Sequence, residues 1–232
     1  MDSHFYTDAA FERASISRVM SMMGSCGMHG TCKTDERSEQ LAGSDIRALD
    51  SLDREHVIDV KSIASDLPTF CQELGNCHSG RVGWIATDKK TTDYLYAYHT
   101  VEGCRSYFEG KRKMAQGCAH VLRDELILVS RSALIGSLEN QLGIVLNEET
   151  ARRLMKEAEA SHDVEHEKGT AYFNIRNGHL VEAKKWNHDR VYVTLSMSMR
   201  EKPLNIVVPK SYLSALSSTH VLSGDDNYCK YA

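Results

Sequence analysis

The chain has 232 residues, of which 41% are hydrophobic, with a formal net charge of −4 and a pI near 6.3. That apolar content is enough to bury a full core, which excludes disorder throughout, and the mild acidity argues against a surface built to ride on nucleic-acid phosphates. No apolar run approaches about 18 residues and the start Met1-Asp2-Ser3-His4 lacks the basic and apolar segments of a secretory signal, so neither a membrane contact nor a leader is expected.

In chain order, Thr7 is placed to cap a first helix reaching about Met23, whose Phe11, Ile16, Val19, Met20 and Met23 form an apolar stripe. Lys33 to Ser44 reads as a polar loop, and helical patterning follows from Asp45 to Leu74, broken near Pro68. Val82 to Thr87 is a strand candidate that local pattern pairs with Tyr94 to His99 as a hairpin. Val101 to Met114 reads as helix, Glu125 to Val129 as strand, and a further helix starts near Ser132. Asn147 caps the next helix, with Glu148 and Glu149 in its first turn. Thr170 to Ile175 and Leu180 to Trp186 flank Asn177-Gly178, a strong hairpin turn, and Arg190 to Ser196 continues a meander. Leu204 to Val208 adds a strand and Lys210 to Leu216 a short helix, with a loose tail from Gly224. The expected fold class is α+β, with helices early and a β-meander late.

The seven cysteines, Cys26, Cys32, Cys71, Cys77, Cys104, Cys118 and Cys229, are odd in number and irregularly spaced, which favours reduced thiols. Cys26-x2-His29-x2-Cys32 with Cys71, Cys77 and His78 can be drawn as a zinc site, but paired Cys-x2-Cys knuckles are absent. His162-Asp163-Val164-Glu165-His166 has the His-x-x-Glu-His form of inverted zinc proteases; it reads more simply as the charged, solvated end of a helix from Glu157 to Glu167.

Three ordered stretches carry a resemblance: His29-Gly30-Thr31; Gly83-Trp84-Ile85 running to Tyr96; and Glu182 followed by Trp186. From about Cys26 to Ser198 the chain resembles the catalytic domains of the diphtheria toxin and exotoxin A group of mono-ADP-ribosyltransferases, with Leu126 to Ile144 similar to the family's middle section. The resemblance implies a split-sheet transferase domain over residues 25–220, a helical extension over 1–24 and a tail over 221–232, and it prefers a helix at Tyr94 to His99. It implies NAD+ as substrate and no metal. Glu182 would stabilise the oxocarbenium-like transition state, His29 would bind a ribose, the Gly30 backbone with Thr31 would pin the nicotinamide amide, and Tyr96 would stack on the nicotinamide ring.

One departure from the family pattern is Ile85 where the first clamp tyrosine is usual, with Trp84 as a substitute stacker only if the strand is bulged. Glu125, at the start of its own strand, is the reserve catalytic candidate. The same resemblance implies a host protein as acceptor, with diphthamide on elongation factor 2 the target it favours. No nucleic-acid partner is expected, and action in a host cytosol as a secreted or injected effector is implied. Two alternatives stay open: a transferase fold without chemistry that acts as a binding module, and a zinc-stabilised interaction module on Cys26, His29 and Cys32 with Cys71 or Cys77. The oligomeric state is left open.

Overall fold

The computed structural model describes residues 15–63, 67–101, 121–161, 169–183, 189–197, 199–224 and 227–231. In chain order these form helix α1 (15–22) running into a 3₁₀ turn (Met23–Cys26), β1 (His29–Lys33), α2 (Arg37–Leu41), β2 (Ile46–Leu49) and β3 (Glu55–Ile63). Next come β4 (Thr69–Asn76), β5 (Arg81–Val82), β6 (Asp93–Val101), β7 (Val121–Ser130), α3 (Arg131–Leu142) and α4 (Glu148–Ala160). The chain closes with β8 (Thr170–Arg176), β9 (His179–Glu182), β10 (Tyr192–Ser196), β11 (Pro203–Pro209), α5 (Lys210–Leu216), β12 (Thr219–Gly224) and β13 (Asn227–Tyr231). The α+β class expected from the sequence is the one observed. Among the described residues no helix is long and apolar enough to cross a membrane.

Two compact units divide the chain, one drawn from residues 4–67, 90–133 and 213–232, the other from 68–89 and 134–212. The first contains a seven-stranded sheet in the order β1-β2-β3-β6-β7-β12-β13. Neighbouring strands are antiparallel except β3 and β6, which run parallel because the chain between them passes through the second unit. Alternation sorts the strands' side chains. Ile46, Ala48, Ile58, Val60, Leu95, Ala97, Leu126 and Leu128 join Val19, Met22, Met23 and Cys26 in one buried cluster. Asp59 and Lys61 on β3 therefore point to the other face, where the register sets them beside Tyr94 and Tyr96. Both tyrosine rings are fully buried and lie 6.3 Å apart in a tilted arrangement.

The second unit contains a six-stranded sheet, β5-β4-β11-β10-β8-β9. Helix α4 packs against β4, β5 and β9 with Ala151, Leu154, Met155 and Ala158 buried. Its amino end is capped as the sequence indicates, Asn147 Oδ1 accepting from the Thr150 N–H at 2.9 Å. Asn177 and Gly178 take positive φ in the β8–β9 turn, and Glu157 pins that hairpin by accepting from the Leu180 N–H and the His179 ring, each at 2.9 Å.

Several sequence expectations are corrected. The described residues between Asp45 and Leu74 are not helical but form β2, β3 and most of β4, because Ile58 to Lys61 alternates apolar and polar residues and every strand finds a partner. Of the strand expected at Val82 to Thr87 only Val82 is extended, as the end of β5, and β6 is neither its hairpin partner nor the helix that the resemblance prefers. The late strands are not a simple meander, since β10 pairs with β8 and leaves β9 at the edge. The tail expected over 221–232 contributes to β12 and forms β13, and the helix expected to be an extension supplies Val19 and Met22 to the first unit's core. Trp186, the helix expected after Val101, most of the helix before residue 15 and the His162 to His166 motif lie outside the described residues.

Candidate functional site

Asp45, Asp59 and Lys61 bring three charged side chains together where β2 begins beside β3. The Asp45 N–H donates to the Ile58 carbonyl at 2.9 Å, and Asp45 Oδ2 accepts from the Val60 N–H at 2.8 Å. The carboxylate of Asp59, between those two residues, is buried and pairs with Lys61 Nζ at 2.8 Å. The charge of Asp59 disfavours the charged form of Asp45, as expected for two neighbouring carboxylates. Burial first, and then the Asp59 charge, pushes the Asp45 carboxyl up to about 7, against the opposing pull of the Val60 N–H and Lys61.

Chemically this is a hard oxygen donor pair with an ammonium beside it. Two carboxylates with the rest of the shell left to water and substrate suit Mg²⁺ or Mn²⁺, which keep several waters and seldom use an all-protein cage. Among the described residues no group of three or more His, Cys, Asp or Glu side chains converges, so a cation here would have to rest on these two carboxylates alone. Sequence reading missed these three residues because it took Asp45 to Leu74 as helix. Residues two apart diverge on a helix but share a face on a strand, so Asp59-Val60-Lys61 gains meaning only once β3 is recognised as extended. The legible signal was Asp-Val-Lys inside an alternating β-branched run, with another Asp on the preceding polar segment.

The residues singled out from the sequence are divided between the units. His29, Gly30 and Thr31 lie on edge strand β1, where the register shifts between His29 and Cys32 and Gly30 takes φ +57°. His29 is exposed and its Nε2 is 3.1 Å from Asp53 Oδ1. Tyr96 lies in the same unit, but its fully buried ring presents no open face for stacking on a nicotinamide. In the other unit, Trp84 is partly buried, Ile85 is fully buried and Glu182 is exposed at the end of β9. The reserve candidate Glu125 is buried on β7 and accepts from the His220 ring at 2.7 Å. Gly83 has a packing reason of its own: a Cβ there would collide with the Glu73 carbonyl, and its N–H bonds the Leu74 carbonyl at 2.8 Å. Of the zinc alternative's residues, Cys26 is buried in the core while Cys32 and His29 are exposed on β1.

Compared with protein-family models, with curated proteins and with solved structures, the chain matches none.

Proposed function

We propose that this protein hydrolyses phosphodiesters, using a divalent cation held by Asp45 and Asp59 and the ammonium group of Lys61. The observation that carries the reading is the Asp45–Asp59–Lys61 cluster, in which Asp59 and Lys61 share one face of β3 and are paired at 2.8 Å while Asp45, held by the Val60 N–H, feels the Asp59 charge. A bound cation would act as Lewis acid on a phosphoryl oxygen and favour the charged form of an attacking water. Lys61, held at Asp59, adds a second positive charge where negative charge grows in the transition state. Two cationic elements at one centre fit an anionic phosphorus better than a neutral acyl group, which favours a phosphodiester over a peptide. A polynucleotide is the substrate to test first. The reading departs from the expectation of no metal and no nucleic acid, which rested on whole-chain charge and on the resemblance, and neither of those senses a local site.

The test is cleavage of bis(p-nitrophenyl) phosphate and of labelled DNA and RNA with Mn²⁺ or Mg²⁺, comparing the native chain with Asp45→Asn, Asp59→Asn and Lys61→Met. Cation-dependent cleavage that falls on the order of 10² to 10³ in folded variants supports the reading. A folded native chain that takes up no Mn²⁺ by calorimetry and cleaves none of these substrates overturns it.

A second reading, cleavage of NAD+ with transfer of ADP-ribose to a host protein such as elongation factor 2, is favoured by one observation. His29 and Glu182 are both exposed on edge strands, and Gly30 beside His29 has the positive φ that a close backbone approach to a ligand uses. The buried Tyr96 weighs against it. Nicotinamide release that disappears in Glu182→Gln would establish this reading in place of the first.

A further inference from the structure

Asn177 is the only asparagine in the chain that is followed by glycine. It is exposed at the tip of the β8–β9 turn, between the paired residues Arg176 and His179. That dipeptide is chemically labile. Glycine has no side chain to shield its nitrogen, so the Gly178 backbone nitrogen can reach the side-chain carbonyl carbon of Asn177 whenever the turn is free to move. Attack forms an N–Cγ bond and breaks the Cγ–Nδ2 bond, the side-chain nitrogen leaving as ammonia with the proton that the Gly178 N–H gives up. Water then opens the succinimide ring at either carbonyl. The product is aspartate, or isoaspartate when the main-chain bond is the one that breaks.

In the folded chain the turn is held. Asn177 and Gly178 sit at φ +51° and +82°, and closing the ring requires rotation of that backbone, so attack waits for a local opening of the hairpin. Helix α4 supplies the restraint. Arg153 Nη1 donates to the Gly178 carbonyl and to Glu157 Oε1, each at 2.7 Å. Glu157 in turn accepts from the His179 ring and from the Leu180 N–H, each at 2.9 Å. Two side chains one helical turn apart therefore fix Gly178, His179 and Leu180, the residues that follow the labile amide. We propose that Asn177 is a site of spontaneous deamidation whose rate is set by release of the Arg153–Glu157 clamp. Water is the only reactant besides the chain, and the inference does not depend on phosphodiester hydrolysis. The isoaspartyl product adds one methylene to the backbone of a two-residue turn, which disturbs the register running from Arg176–His179 to Phe173–Glu182. Each chain modified in this way carries a loosened edge strand β9.

The experiment incubates the full chain at pH 8, folded and in guanidinium chloride. Mass spectrometry of the endoproteinase Lys-C peptide spanning 169–184 follows the gain of about one dalton that comes with replacing NH₂ by OH. The native chain is compared with Glu157→Ala and Arg153→Met, which open the clamp, and with Asn147→Ala, which weakens the other end of the same helix. Each variant is first shown to be folded by its melting curve. Folded Glu157→Ala should react about ten-fold faster than the native chain at Asn177, as loss of two hydrogen bonds to a charged acceptor implies. Arg153→Met should move the rate in the same direction, and Asn147→Ala should keep the native rate. In guanidinium chloride all four chains should react equally fast, at Asn177 before any other asparagine. The isoaspartyl form should exchange its 179–182 amides faster than the unmodified chain. A different asparagine reacting first would overturn the site. A native chain that reacts as fast folded as unfolded, clamp variants that keep the native rate, or an Asn147→Ala variant that matches them would each overturn the clamp.

Discussion

Asp45 illustrates how a side chain's surroundings change its chemistry. Because its carboxyl is raised from the ordinary 3.8 to about 7, the folded chain keeps a proton that the unfolded chain has given up across that interval. The proton favours folding at the acid end, so this contribution to stability is lost as pH rises from about 4 through 7 and stays lost above. The melting temperature of the metal-free native chain should therefore fall more steeply between pH 5 and pH 8 than that of Asp45→Asn, which has no charge to bury. Equal slopes would show that the pair is not coupled in solution. Mn²⁺ at pH 8 should raise the melting temperature of the native chain and leave that of Asp45→Asn nearly unchanged. Asp50 works in the opposite sense and in a separate window. The Arg54 side chain first, and then the Arg54 backbone N–H, hold Asp50 below the usual carboxylate range, so its contribution is present at neutral pH and disappears only in stronger acid.

At the scale of elements, the features that depend on neighbours in sequence are the ones read correctly. Asn147 before two glutamates, Asn177-Gly178 between two β-branched runs, and the helix after Pro209 all appear where local chemistry puts them. Asn147→Ala should cost about 1 kcal/mol, seen as a lower urea midpoint at unchanged slope. Gly83 was singled out as part of a ligand-binding motif, yet its surroundings explain it through packing against the β4 backbone. Gly83→Ala should destabilise by about 1 to 3 kcal/mol, because the obstructing atom is a carbonyl of the sheet and not a flexible side chain. A variant as stable as the native chain would show that β4 and the segment after β5 separate easily. The misread stretch from Asp45 to Leu74 failed for a related reason: its acids and bases, including Arg47 between Glu39 and Glu55, look like a solvated helix face until the cross-strand pairs form.

At the scale of the molecule, the boundary expected after residue 24 does not coincide with a boundary of packing. Val19, Met22 and Met23 are at most 3% exposed within the core of the seven-stranded unit. Removing residues 1–24 should therefore cost roughly 1.5 to 3 kcal/mol for each of the three side chains, a sum comparable to the whole stability of a typical domain. The truncated chain is expected to lose its cooperative thermal transition by circular dichroism; retention of that transition would mean that α1 is dispensable. The site's partners are likewise assembled from distant segments, since Asp59 and Tyr94 meet only through the parallel β3–β6 pairing, with a visit to the second unit between them.

By itself the sequence determined what nearest neighbours decide: an α+β chain with a core, the capped helix α4, the β8–β9 turn, and most strands and helices described between Glu125 and Leu216. These follow from capping, turn chemistry and alternation, which act over a few residues. The tertiary structure alone decided the first half, because strands such as β2 and β3 exist through their pairing and their propensities are too weak to announce them. It also decided which charged residues meet. The proximity of Asp45 to Asp59, of Lys61 to Asp59, and of Tyr94 to Arg131 arises from sheet register, which fixes the face of every side chain and is set by contacts far apart along the chain.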